Sequence, residues 1–98
     1  MAEAILLPEA EADVDLACAY YETQRPGLSL RFRETLDVTL DTIALTPLIG
    51  TVVHKGYRRF AMKIFRYAVF YEVVDGIPYV HAVFHTSQDP EKLMRRLP

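Results

Sequence analysis

The chain has one cysteine, Cys18, and no tryptophan. A single thiol rules out an internal disulfide, so packing alone must hold the fold, and a reducing compartment is expected. Cys18 itself reads as a small buried hydrophobe on a helix. Long apolar runs are also missing. The longest near the start, Ala4-Ile5-Leu6-Leu7, has no basic flank and is too short for a signal-peptide core, so export is not expected. Nothing approaches the roughly 20 apolar residues of a membrane-spanning helix. The 4 glycines form no phosphate-cradling loop, and no Ser/His/Asp arrangement stands out. These absences favour a cytoplasmic protein with no membrane contact, no cofactor and no metal, and they single out no catalytic residue.

The residues that are present describe one domain spanning residues 1–98, with 51% hydrophobic positions and no polar low-complexity tract. A core this small leaves apolar surface over for a partner. Net charge is −2 but unevenly spread. Residues 1–50 hold nine acids and three bases, and residues 51–98 hold eight bases and four acids, so −6 and +4 sum to −2. Either the C-terminal half turns a basic face to an acidic partner, or the two halves attract each other. A dedicated nucleic-acid binder would be more basic overall.

Periodicity then orders the elements. Glu3 to Leu7 reads as a short strand, and Pro8 suits the first turn of a helix. Ala10, Val14, Ala17 and Tyr21 make a helical stripe that Leu16 and Tyr20 widen, and Arg25-Pro26-Gly27 stops the helix. A second helix, about Leu28 to Leu45, carries Leu28, Phe32, Leu36, Leu40 and Ile43 on one side and ends at Thr46-Pro47. From Thr51 the period changes. Thr51 to His54 is a strand and Lys55-Gly56 a turn. Tyr57 to Phe65 alternates, with Phe60, Met62 and Ile64 on one face. Tyr67 to Val74 and Ile77 to Thr86 are strands joined by Asp75-Gly76, a strong two-residue hairpin signal. Pro90 to Leu97 is a short terminal helix. The expected architecture is α+β: an N-terminal strand, a helical hairpin on one face of an antiparallel sheet, and a short C-terminal helix.

The hairpin turn implies a register in which Val74 meets Ile77, Glu72 meets Tyr79, Phe70 meets His81, Ala68 meets Val83 and Arg66 meets His85. One face then carries Arg66, Phe70, Glu72, Tyr79, His81 and His85, the expected partner-binding surface. Tyr67, Val69, Tyr71, Val73, Val80, Ala82 and Phe84 go under the helices. Arg58 and Lys63 are further candidates for contacts to a partner or to phosphates, although alternation sends Arg58 and Arg59 to opposite faces. His81 and His85, four apart on a strand, stand about 13 Å from each other and cannot share a metal ion.

Several segments together resemble the ParE branch of the RelE/ParE toxins. Tyr20-Tyr21-Glu22-Thr23-Gln24-Arg25-Pro26-Gly27-Leu28 with Phe32 is similar to its helical hairpin. Pro47, Gly56-Tyr57-Arg58-Arg59 and Phe65-Arg66-Tyr67-Ala68-Val69-Phe70-Tyr71 are similar to its central strands, and Val83 to Pro90 to its closing strand. The resemblance implies a bacterial plasmid-stabilisation toxin that inhibits growth by binding a protein, DNA gyrase, and is neutralised by a cognate antitoxin. A homodimer or a heterotetramer with antitoxin are the assemblies it implies. In the RelE branch the same fold cuts mRNA on the ribosome, using an arginine where this chain has Ala68, another where it has Ser87, and an aromatic acid–base group near Leu93. That chemistry needs cations against the transition state and a group to activate the ribose hydroxyl, which these three side chains lack. An enzyme is therefore not indicated, and an RNA endonuclease stands as the alternative. ParE-like chains also read Pro where this one has Arg66 and Arg where it has Gln88. A member that only binds antitoxin is the third reading.

Overall fold

The computed structural model describes residues 3–98. Strand β1 (Ile5–Leu6) leads into α1 (Pro8–Gln24) and α2 (Leu28–Leu45). A 3-10 turn (Pro47–Ile49) then precedes β2 (Thr51–His54), β3 (Tyr57–Ala61), β4 (Tyr67–Val74), β5 (Ile77–His85) and α3 (Pro90–Arg96). The strands form one sheet in the order β1-β5-β4-β3-β2. The hairpin-linked strands are antiparallel, but β1 runs parallel to β5, so the sheet is mixed. The expected α+β architecture is present, with that one refinement.

The helical hairpin is closed by a residue outside the turn. Gly27 takes φ +87°, which lets the chain reverse between α1 and α2. The first turn of α2 carries no acid of its own. Instead the Glu22 carboxylate, from the end of α1, accepts from Ser29 Oγ at 2.6 Å, from Gly27 N at 3.1 Å and from Ser29 N at 3.3 Å. It thereby covers orphan N–H groups and sets negative charge at the positive end of α2. These bonds hold its carboxyl below the usual carboxylate value, the Ser29 hydroxyl most of all.

Ala10, Val14, Ala17 and Cys18 of α1 are buried with Phe32, Leu36 and Ile43 of α2 against Val69, Tyr71, Val80 and Val83 of the sheet. Leu16 and Tyr20 do not widen the α1 stripe: they are exposed, and Cys18, one turn after Val14, does so instead. β1 is shorter than its sequence suggested. β3 ends at Ala61, and Ile64 leaves the expected strand face for an exposed turn at φ +72°.

Tyr71 pins the connection between the helical and sheet layers. Its hydroxyl donates to Pro47 O at 2.7 Å and accepts from Gly50 N at 2.9 Å. Arg58 adds bonds from Nη1 to Gly50 O and Leu48 O at 2.7 and 3.2 Å. Gly50 has no room for a side chain, since a Cβ there would sit 2.7 Å from the Tyr71 hydroxyl.

Asp75 (φ +52°) and Gly76 (φ +78°) do form the two-residue turn, and Val74 pairs with Ile77 and Glu72 with Tyr79 as expected. Beyond that the register slips. Tyr71 pairs with Val80 and Phe70 with Ala82, leaving His81 as the extra residue of a β-bulge. One added residue moves every later side chain to the opposite face. Ala68 therefore meets Phe84, Val69 meets Val83, and Tyr67 meets His85. Val83 joins the helix-side core, and Ala82 and Phe84 do not. They form a second cluster on the other face with Tyr57, Ala68, Phe70 and Leu97, with Leu93 packed against it from α3.

Candidate functional site: the groove beneath the terminal helix

The second face of the sheet is only partly covered. α3 starts at Asp89, whose side chain accepts from Glu91 N at 3.0 Å, with Pro90 at the first helical position. It lays Leu93 and Leu97 against Phe84 and leaves a groove of about 280 Å³ between itself and the β2–β3 side. Val53, Phe70, Phe84, Leu93 and Met94 give that groove an apolar lining, with Arg59 and His54 among its polar groups. Phe70 and Phe84 are themselves buried, whereas Met94 and Val53 are 50% and 45% exposed at the rim. Such an amphipathic cleft suits an apolar segment of a partner better than a small polar ligand.

The structure divides the sequence-derived candidates. Phe70, Glu72, Tyr79 and His81 do share the face away from the helical hairpin. Glu72 and His81 are tied to each other, Oε2 to Nε2 at 2.6 Å, and the His81 ring stands edge-on to Tyr57 with centroids 5.0 Å apart. His81 is thus a partnered side chain beside the bulge. His85 is not opposite Arg66. It pairs with Tyr67, its ring 5.2 Å from that phenol, because the bulge has turned it over. Its Nδ1 lies 3.1 Å from Ser87 N and 2.7 Å from Ser87 Oγ. Arg66 lies outside the strands, in the β3–β4 connection. Arg58 is spent on the backbone of the 3-10 turn on the helix side, and Lys63 lies beside α2 rather than on the groove.

Val53, Leu93 and Met94 are groove residues that sequence reasoning missed, and Arg59, weighed there beside Arg58 and Lys63 for contacts to phosphates, lines the groove as well. The alternation of Arg58 and Arg59 was visible, but their assignment to particular faces depended on β4. The position of α3 across the sheet had no local signal. At the three positions that the resemblance matched to a nuclease's cations and aromatic acid–base group, Ala68 is buried in the second cluster, Ser87 engages His85, and Leu93 packs from α3 against that cluster.

A helical hairpin on one face of a five-stranded sheet, with a short terminal helix leaving an apolar groove on the other, defines a small α+β domain. Residues 4–90 match the family model described as the ParE toxin of type II toxin–antitoxin system, parDE. The chain belongs to that family. A search of curated proteins gives no match. Among the described residues no helix is long and apolar enough to cross a membrane.

Proposed function

We propose that the chain is a toxin that acts by binding a target protein, DNA gyrase, and that a cognate antitoxin neutralises it by seating an apolar segment in the groove beneath α3. The groove carries the reading: Phe70 and Phe84 form its floor, and Met94 and Val53 stand exposed at its rim. Met94 and Val53 keep about half of their surface in water, so they are the side chains a partner segment would newly bury, each contributing at most roughly 1.5–3 kcal/mol before the cost of association. Family membership supports both the toxin role and the existence of an antitoxin. The proposed setting is the bacterial cytoplasm, and the proposed assembly is a complex of toxin with antitoxin.

The test is co-purification with the product of the neighbouring gene, followed by titration of Met94→Glu and Val53→Lys variants. Both residues are exposed, so each variant should melt close to the parent while losing antitoxin affinity. Growth after expression of the chain alone, and supercoiling by purified gyrase in its presence, then examine the target. A chain that binds antitoxin without arresting growth or inhibiting gyrase would overturn the toxin role. Antitoxin binding unaffected by either variant would overturn the groove.

A further inference from the structure

A second surface, on the helical side and adjoining the groove at His85, concentrates positive charge. Arg25 at the end of α1, Arg31 on α2, Arg66 between β3 and β4, and His85 at the end of β5 all line one open cavity of about 430 Å³. Tyr21 and Phe65 line it too, their rings edge to face at 4.9 Å. No acidic side chain lines the cavity. Among the described residues the arginines that form ion pairs are Arg33 with Asp15 and Arg96 with Asp13; Arg25, Arg31 and Arg66 form none.

Three unpaired arginines that converge from separate elements repel one another. The backbone supports the arrangement at a further cost. Phe65 N donates to Lys63 O at 2.8 Å across Ile64, whose φ of +72° makes this the rarer, strained hand of γ-turn. A β-branched residue is disfavoured in that region, and here its side chain is 77% exposed on the cavity rim. Strain that holds an apolar side chain in water beside unpaired cations points to a ligand with both anionic and apolar groups.

The surroundings choose between kinds of anion. Exposed Glu34, Asp37 and Asp41 follow Arg31 along α2, and the chain as a whole carries −2. Charges act over about 10 Å at ordinary ionic strength. An extended polyanion reaching out of the cavity would run past all three carboxylates, whereas a short segment held at the arginines would meet chiefly Glu34, one turn from Arg31. Guanidinium groups match carboxylates and phosphates alike in a planar, two-pronged geometry, so it is the neighbouring carboxylates that disfavour a long polyanion.

We infer that this cavity binds an acidic peptide segment carrying an apolar side chain, with Arg25, Arg31 and Arg66 on its carboxylates and Ile64 against its apolar group. The site shares only His85 with the groove beneath α3, and none of its three arginines lines that groove, so either can fail without the other.

Titration of the full chain with a short fluorescent peptide alternating glutamate and leucine tests the inference, with amide shifts recorded by NMR. A lysine–leucine peptide and a single-stranded oligonucleotide of equal formal charge to the acidic peptide are the comparison probes. The acidic peptide should bind tightest, weaken as salt rises, and shift the amides of Arg31, Phe65 and Arg66. Combined Arg31→Ala and Arg66→Ala should weaken it by at least ~tenfold, about 1.4 kcal/mol. Arg33→Ala, which breaks an exposed pair outside the cavity, should leave binding unchanged. Tighter binding of the oligonucleotide, shifts confined to other surfaces, no binding of the acidic peptide, or equal affinity of the double variant would each overturn the assignment.

Discussion

Asp13 and Arg96, 83 positions apart, hold each other through two parallel bonds of 3.1 and 2.9 Å at the outer edge of β5. Asp13 Oδ2 also accepts from Val83 N at 3.0 Å, and Arg96 Nη2 donates to His81 O at 3.1 Å. β1 covers β5 only as far as Val80. Beyond it, this side-chain pair takes the place of a neighbouring strand, satisfying one N–H and one C=O that would otherwise be an open edge. It also fastens α3, on one face, to α1, on the other. The Arg96 guanidinium lies 5.0 Å from the Phe84 ring centre, so the same group covers the second cluster.

Breaking this pair should destabilise the fold well beyond an ordinary surface ion pair. Asp13 and Arg96 side chains are 11% and 28% exposed, and each is left with unmet polar neighbours when its partner goes. Arg96→Ala and Asp13→Ala are each expected to cost about 2–4 kcal/mol, somewhat less than a fully buried pair. The double variant should cost less than the sum, and amide exchange at Val83 should rise in Asp13→Ala. Chemical denaturation and hydrogen exchange check both. Losses below about 0.5 kcal/mol would reduce the pair to a surface contact.

Phe84→Ala is expected to cost roughly 3–5 kcal/mol, even though Phe84 sits away from the helical hairpin. Its ring is 8% exposed between the sheet and α3. The variant should also loosen α3 and open the groove, so antitoxin affinity should change together with stability. Thermal melts read alongside binding titrations separate this from Met94→Glu, where affinity alone should fall.

At Tyr71 and Gly50 the sheet and the 3-10 turn share one hydroxyl. Tyr71→Phe strands Gly50 N–H and Pro47 C=O and should cost about 1–3 kcal/mol. Gly50→Ala forces its Cβ against that hydroxyl and should cost a similar 1–3 kcal/mol by overpacking. Because both act on one contact, their costs should combine to less than additive in a double-mutant cycle.

Acid should weaken the join between the helices. Glu22 has its folded pKa lowered from 4.5 by the Ser29 hydroxyl and the Gly27 and Ser29 N–H groups. A depressed acid contributes stability that is fully present above its unfolded pKa and is lost as pH falls through its folded value. Glu22→Gln should therefore flatten the acid side of the stability profile below about pH 4.5 and lower stability at neutral pH. Thermal melts across pH, parent against variant, measure it. Profiles of identical shape would mean that the carboxylate bonds are absent in solution.

Cys18 should react slowly. Burial pushes its thiol above the usual value, more strongly than nearby Arg33 pulls it down, and its Sγ sits 4.0 Å from Ser29 O. Alkylation of the native chain should run more than ~tenfold slower than in denaturant, because only the thiolate attacks and little of it is accessible.

Most of the fold was legible in local sequence. Pro8, Arg25-Pro26-Gly27 and Thr46-Pro47 bound the helices, and Asp75-Gly76 set the near end of the central hairpin, because each acts on its own backbone. The working surface was legible only as far as the bulge. His81 has nothing in its neighbours to mark it as extra, since the alternation around Val80, Ala82 and Phe84 suits either register. What fixes the bulge is distant: Arg96 on the His81 carbonyl, Glu72 on its ring and Asp13 on the next N–H but one. The cationic cavity escaped for a similar reason, since Arg25, Arg31, Arg66 and His85 meet only once four elements are in place.

The tie between Asp13 and Arg96 also bears on when the protein becomes itself. Among the described residues β5 is the strand that touches both β1 and β4, and Arg96 belongs to α3, which follows it in the chain. During synthesis the helical hairpin emerges first but has no finished sheet to lie on. Neither the groove nor the cationic cavity exists until β5 has docked, and the edge of β5 stays open until the final helix arrives. A partly folded chain without a docked β5 therefore presents neither surface, and competence for a partner at either one waits on closure of the sheet.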